Sequence, residues 1–578
     1  RGSTSAQVLV LIDGRPVNSI STGSADLSEI SLDNIEKIEI IRGPSSHLFG
    51  ANAMGGVVNI VTKDIKGEPY KKVYGSYGSY NTYFYGLDYG RTSNKWSYII
   101  TGSTKKTDGY RDNSDFFAND LFLKLKYNID NNSLSQINIG YHDNKSGLPG
   151  PVPEKGTQAK YGNSEVTTLF DNQKNKNYYV DFTVDLKRGE KLHPVLKLWH
   201  DERLMKYFVR YDDWFSFPAD VMDENDTYKS KSQGGSICFQ FDFARYDKLI
   251  MGVDAKKDKY DAEQKVLNTT QNTTIVTNWM PSSDNTGIWL ENQWNPSEQV
   301  SVTLGARNDN HSLYGSNFSP SIGMAYKPDL TNTLRTAIGK AFRAPSFNDL
   351  YWPKGGNKDL KSETGLSYEL SFEHWLSSSL MTQLGVFKRD TDNKIAWAPK
   401  ANGDWEPQNI NKHKLSGVEL ELLKKLKLYS FGVSYTFLDA EQENKEIVYS
   451  DWLTGETKQE FKNRRAAFTP KHELAVKIGL NFEKGTKINF NTRYISERYN
   501  YYPNYNNSPQ VTMDTKKLPD YFVADIKLSQ NIKENYNIFL SVNNILDKKY
   551  KEQFGTTFKD QGYPMPPRTI SGGIEVKF

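Results

Sequence analysis

The sequence runs to 578 residues, 25% of them charged, with a formal net charge of only +4 from 73 basic and 69 acidic side chains. That balance argues against a concentrated basic face for nucleic acid, and a single cysteine, Cys238, excludes an intrachain disulfide framework and any multi-cysteine metal site. No run of about 18 apolar residues occurs, which excludes α-helical membrane spans but not a membrane barrel, where only alternate strand residues meet lipid.

Residues 1–66 hold short β-branched runs, VLVLID and KIEIIR, and a glycine-rich stretch ending GGVVNIVTK. This pattern predicts a small mixed α/β module. The chain opens on Arg1 without a signal peptide and runs straight into a strand-like segment, so further sequence is expected upstream.

From residue 67 to Phe578 the pattern changes to alternating segments separated by loops rich in Asn, Asp, Gly and Lys. Leu121, Leu123 and Leu125 alternate with Phe122 and Lys124; Ile237, Phe239, Phe241 and Phe243 with Cys238, Gln240 and Asp242. Val418, Leu420 and Leu422 alternate with Glu419 and Glu421, and Leu474, Val476, Ile478, Leu480 and Phe482 with Ala475, Lys477, Gly479 and Asn481. Successive strand side chains point to opposite faces, so each segment has an apolar face and a mostly polar one. A soluble sandwich, propeller or β-helix also alternates. Against these stand the Lys, Glu and Asn of the polar face and the uneven connections, short at NFEKGTK and long at residues 499–520. Both features belong to outer-membrane barrels. The 35 Tyr, 29 Phe and 11 Trp would supply interfacial girdles.

At about 9–11 residues per tilted span, plus roughly a dozen connecting residues, this region accommodates about 22 strands. A barrel so wide needs a plug, and the N-terminal module would supply it. The reading is therefore all-β: a 22-stranded antiparallel transmembrane barrel with an N-terminal α/β plug in its lumen. The final TISGGIEVKF places Ile570, Ile574, Val576 and Phe578 in one row, resembling the terminal signal of barrel assembly.

Four stretches together resemble the TonB-dependent receptor family over almost the whole chain. These are VLIDGRPVN, IEKIEIIRGPSSHLFGANAMGGVVNIVTK, GKAFRAPSFNDLYWPKGGNKDLKSETGLSYEL, and VNNILDKKY with PMPPRTISGGIEVKF. The first two are similar to the second half of the family's plug, including Arg42-Gly43-Pro44, Gly50 and Gly55-Gly56. The resemblance implies the C-terminal half of a plug at 1–66, a barrel at 67–578, a Gram-negative outer-membrane location, and a TonB box upstream of residue 1. It also implies a metal-chelate cargo, either a corrinoid such as cobalamin or a ferric siderophore. Haem is disfavoured because Ala344–Lys361 contains no histidine.

Alternation places Glu419, Glu421, Glu369 and Glu373 toward the lumen, and an Arg on the plug needs carboxylate partners there. Arg42 is expected to pair with Glu369 or Glu419, with Glu421 beside them. By position against the family, the plug apex includes Phe49, Ala51 and Asn52, with His47 nearby, as candidate cargo contacts. The stretch YDDWFSFPADVMDEND reads as an acidic loop whose Asp212, Asp213, Asp220, Asp223 and Asp226 (with Glu224) are a candidate Ca²⁺ site. Their spacing matches no EF-hand, and a solvated acidic loop is the plainer reading. No cofactor is otherwise required and no catalytic constellation stands out. The alternatives are a passive porin, which would lack the plug motifs, and a barrel enzyme, which would need a lumenal nucleophile beside a base.

Overall fold

The run Val8–Ile12 is apolar on both of its faces, and a strand of that kind belongs in the middle of a covered sheet. In the computed structural model, which describes residues 1–65, 69–187, 191–213, 219–244, 247–400, 405–451, 453–533, 535–554 and 561–578, it does so. This strand, β1 (Val8–Ile12), lies between β2 (Arg15–Pro16) and β4 (Gly56–Thr62), and β3 (Ile35–Arg42) pairs with β4 at the edge. β1 and β4 run parallel, with Val8 opposite Gly56 and Ile12 opposite Ile60. Leu9 and Leu11 pack with Ala53, Val57 and Phe49 on one side. Val10 and Ile12 pack with Val17 and Ile60 on the other. The short helix α1 (Ser46–Phe49) closes the path from β3 to β4. Gly56 sits at φ +138°, where a Cβ would stand 2.3 Å from the Ile41 carbonyl oxygen, so no other residue fits this crossing.

Around this sheet runs a closed antiparallel wall whose last strand, Thr569–Lys577, pairs with its first, Tyr70–Gly78, setting Ile574 opposite Gly75. Thr273–Trp279 and Thr457–Arg465 are hairpin extensions beyond the wall, which itself has 22 strands. The apolar rows point outward: Leu121, Ile237, Leu420, Ile538, Leu540 and Ile570 are all exposed on the cylinder's surface. Among the described residues no second sheet covers them, and each strand's backbone is satisfied by its neighbours, as a bilayer requires. The domain boundary expected at 66/67 lies outside the described residues.

Connections at one rim are short, as at 94–95, 378–379 and 482–485, while those at the other include 148–171, 344–362 and 544–568. Long loops mark the extracellular rim. There, several strands outgrow the bilayer: Leu192–Asp213 has 22 residues and Asp220–Ala244 has 25. Two segments expected as loops are in fact strands. Residues 499–520 form a hairpin of Arg498–Asn504 with Thr512–Leu518. In the acidic stretch at 211–226, Asp212 and Asp213 end one long strand and Asp220 begins the next, with 214–218 outside the described residues. Above the bilayer a strand's outer face no longer has to be apolar, so its polar sequence imitates a loop.

Candidate functional site

An ionised side chain taken out of water into the lumen costs several kcal/mol unless it is paired. The plug's arginines show how that requirement is met. Arg42, at the end of β3, lies 3.7 Å from Glu419 and 3.9 Å from Glu421, with half of its side chain exposed. Glu369 is not its partner. Arg1 takes it at 2.8 Å and also grips Glu419 through two hydrogen bonds of 2.9 and 2.7 Å. The reason is steric: Gly43 lies so close to Glu369 that a Cβ would stand 2.2 Å from Oε1, so the plug backbone, not the Arg42 guanidinium, meets that carboxylate. Glu373 faces Arg335 of the neighbouring strand at 3.0 Å.

A deeper attachment escaped the sequence reading. Arg15, just past the turn Asp13-Gly14, is 3% exposed and lies 2.9 Å from Asp181 and 2.7 Å from Asp201 on adjacent wall strands. Its guanidinium also stacks 3.9 Å from the Tyr179 ring centre. Burial opposes the charge, but the two aspartates outweigh it and hold Arg15 above its ordinary pKa. Asp13 (φ +48°) turns its carboxylate to the Thr62 amide at 2.9 Å, the Asn138 side-chain amide at 3.0 Å and Lys124 at 3.4 Å. The one sequence signal was an arginine in a tight turn after a fully apolar strand.

The mid-barrel motif GKAFRAPSFNDLY explains itself once folded. Its wall strand ends at Arg343, which donates to Glu363 and Asp349, both at 2.9 Å. The other oxygen of Glu363 accepts from Gln7 of the plug at 2.8 Å. After Pro345 the chain does not rise into solvent but turns inward as helix α2 (Phe347–Tyr351), capped by the Ser346 hydroxyl at the Asp349 amide. The Phe347 and Asn348 amides donate to the carbonyls of Ile20 (3.1 Å) and Ser21 (3.0 Å) in the plug. Phe347 is buried with Tyr228 and Tyr260, which stand on the long neighbouring strands Asp220–Ala244 and Asp247–Asn268.

Between α2, the plug apex and the wall lies a cavity of about 150 Å³. Phe49, Ala51 and Asn52 line it, together with Lys256, Asp258 and His311 from the wall. Asn52 is held in place at φ +69°: its amide donates to the Phe342 carbonyl at 2.9 Å and its side-chain oxygen accepts from the Ala344 amide at 3.2 Å. His47 does not line this cavity. It turns to the wall, with Nε2 3.3 Å from Glu291 and its ring against Gly305. Helix α1 points it sideways, below the apex.

The five acidic residues considered for calcium are dispersed. Asp212 binds Lys160 at 2.7 Å, Asp223 binds Arg210 at 2.6 and 2.7 Å, and Asp220 accepts from Asn268 at 2.8 Å. Asp226 accepts from the Tyr228 hydroxyl at 2.6 Å, and Asp213 stands opposite Asp220 in the strand register. Among the described residues no group of three or more His, Cys, Asp or Glu side chains is arranged to hold a metal ion.

Comparison with known proteins agrees with this architecture. Residues 68–545 match the model of the TonB-dependent receptor-like β-barrel, and residues 1–57 match that of the TonB-dependent receptor plug domain. The chain is 26% identical to the vitamin B12 transporter BtuB of Photobacterium profundum, over 97% of this chain and 84% of that protein. It is 22% identical to the ferrienterobactin receptor of Escherichia coli, over 95% and 82%. Its fold is similar to that of the siderophore receptor PirA from Acinetobacter baumannii, with a TM-score of 0.77 at 17% identity over 100% of this chain and 91% of that one. The chain belongs to the TonB-dependent receptor family.

Proposed function

We propose that the protein is an energy-coupled importer of a metal chelate, either a corrinoid or a ferric siderophore, across the outer membrane of a Gram-negative bacterium. One observation carries the reading. The barrel's lumen is held shut by a plug whose charged attachments are matched on the wall, Arg15 with Asp181 and Asp201 above all. A passive porin has no use for such a stopper, and breaking buried ion pairs calls for external work. TonB is the expected source of that work. Outer-membrane lipid is the protein's other partner.

The cavity of about 150 Å³ is too small to enclose a chelate and serves as the floor of a vestibule walled by the long strands. Cargo resting there would touch Ala51 and Asn52 and the inward-turned α2. The kinship to vitamin B12 transporters favours a corrinoid over a ferric catecholate. The protein acts as a transporter, not an enzyme. Titration of the purified protein with cyanocobalamin and, separately, ferric enterobactin, followed by visible absorbance of the retained chelate, decides the cargo. Uptake by cells expressing the receptor should stop when a protonophore is added. Uptake that continues unchanged would return the porin reading.

A further inference from the structure

A buried arginine needs a negative partner, because an ionised group left alone in the interior is costly. Arg389, on the lumen face of the wall strand Leu380–Pro399, is 5% exposed, yet among the described residues no carboxylate lies within 4.0 Å of it. The two acids that act on it from further away, Glu363 and Glu369, are already engaged. Glu363 accepts from Arg343 at 2.9 Å, from the Ile395 amide at 2.9 Å and from Gln7 at 2.8 Å, and Arg1 holds Glu369 at 2.8 Å. Lys394, further along the same strand, adds to the surplus. Its Nζ donates to Gln442 at 2.8 Å and has no carboxylate within 4.0 Å among the described residues.

The surplus of charge coincides with a surplus of donors. Arg389 spends only Nη1 on the plug, toward the Ser3 hydroxyl at 3.0 Å and the Met54 carbonyl at 3.4 Å, while its Nε and Nη2 are buried without a partner. Two residues along the same face, Thr391 stands directly opposite His413 of the next strand, both buried. The Thr391 hydroxyl and His413 Nδ1 are likewise unpartnered. Cross-strand neighbours have Cβ atoms about 4.5–5.5 Å apart, and residues two apart on a strand lie roughly 7 Å apart. The four orphaned atoms therefore share one small patch of wall. Apolar groups enclose it: Leu415 opposite Arg389, and Met54 of the plug, both buried. On the other side, Gly365 opposite Thr391 brings no side chain, and a Cβ there would stand 2.8 Å from the Met54 methyl.

We propose that Arg389, Thr391 and His413 hold one halide-type anion, chloride in the native setting, as the counter-ion of the wall's arginine. Each free group can donate to it: the guanidinium, the hydroxyl, and a neutral imidazole carrying its proton on Nδ1. A water molecule would bring two hydrogens to a recess with few acceptors and would leave the charge unbalanced. The anion fixes the arginine that reaches Ser3 and Met54, and so fastens plug to wall. None of the three residues lines the vestibule floor, so the proposal is independent of the cargo.

The test uses the full chain in dodecyl maltoside, crystallised with sodium bromide as the only halide. Anomalous scattering at the bromine edge should show one peak within hydrogen-bonding distance of Arg389, Thr391 and His413, and none there in R389Q. In solution, proteolytic release of the plug should slow as bromide is added, about tenfold at ten times the bromide dissociation constant. Sodium gluconate at the same ionic strength should not slow it. R389Q should lose the bromide dependence, and T391V should shift it to several-fold higher concentration. K388Q, on the outer face of the same strand, should respond as the native protein does. Absence of the peak overturns the proposal and leaves water as the occupant. Equal response to the two salts, or an undiminished bromide effect in R389Q, overturns it as well. Heat-modifiable migration in gels reports folding, and T391V answers the same question should R389Q not fold.

Discussion

Arg15 of the plug and Asp201 of the wall approach to 2.7 Å with the guanidinium 3% exposed, whereas Arg42 approaches Glu419 only to 3.7 Å with half of its side chain in solvent. The two arginines are therefore unequal. Arg15→Ala leaves Asp181 buried without its counter-charge, while Asp201 keeps only Arg203 at 2.9 Å, and should destabilise the docked plug by about 3–5 kcal/mol. Arg42→Ala should cost no more than about 1 kcal/mol, because a solvated pair is worth little. Thermal melts of the two variants in detergent, with limited proteolysis of the plug, measure the difference. Equal effects would show that the seating of the plug does not depend on burial.

Asn52 shapes the vestibule floor through its backbone as much as its side chain. Asn52→Ala removes the acceptor for the Ala344 amide and keeps a left-handed φ that alanine tolerates poorly. We expect a loss of about 1–3 kcal/mol, and weaker chelate binding in the absorbance titration. Asn52→Gly forfeits the bond but relieves the backbone, so its stability should fall between alanine and native.

Gly56→Ala tests the crossing of β3 and β4. The new Cβ would meet the Ile41 carbonyl oxygen at 2.3 Å on a backbone at φ +138°. Strain of about 1–3 kcal/mol from the dihedral alone, added to the clash, should leave the plug unfolded inside an intact barrel. Protease sensitivity confined to residues before 66, with unchanged heat-modifiability of the wall, is the expected pattern.

Glu29 gives a pH-dependent case. Burial raises its carboxyl above the usual range, although Arg203, 3.7 Å away, pulls it down. A carboxyl whose folded pKa is raised contributes its stability below the unfolded pKa and loses it as pH climbs through the folded one. Glu29→Gln, neutral at every pH, should therefore be more stable than native at neutral pH. The gap should close as pH falls below the ordinary carboxylate range. Melting curves over that interval would show it, and a gap that widened on acidification would mean that the Arg203 pairing dominates.

What the sequence disclosed and what it withheld divide along physical lines. The rows Leu474–Phe482 and Ile538–Val542 are local facts of period two, so the strands and their lipid-facing sides were legible from neighbouring residues alone. The plug motif and the length of the remainder fixed the wall at 22 strands. Pairings across the lumen were not legible, because Arg15 meets a partner 186 positions away and nothing local distinguishes Asp201 from other aspartates. Arg42 was expected against Glu369 or Glu419, and the choice between them was not legible either, since only the folded backbone shows Gly43 occupying the place beside Glu369. His47 was placed near the apex by its position in the motif, but the orientation of a four-residue helix decides where it points.

The contact of α2 with the plug is made by amides and carbonyls: Phe347 to Ile20, Asn348 to Ser21. A main-chain joint of this kind survives nearly any change of side chain on either partner. Descendants of this receptor are thus free to rewrite the residues that meet a chelate, following whatever molecule their habitat offers, while the linkage between mouth and stopper passes on intact.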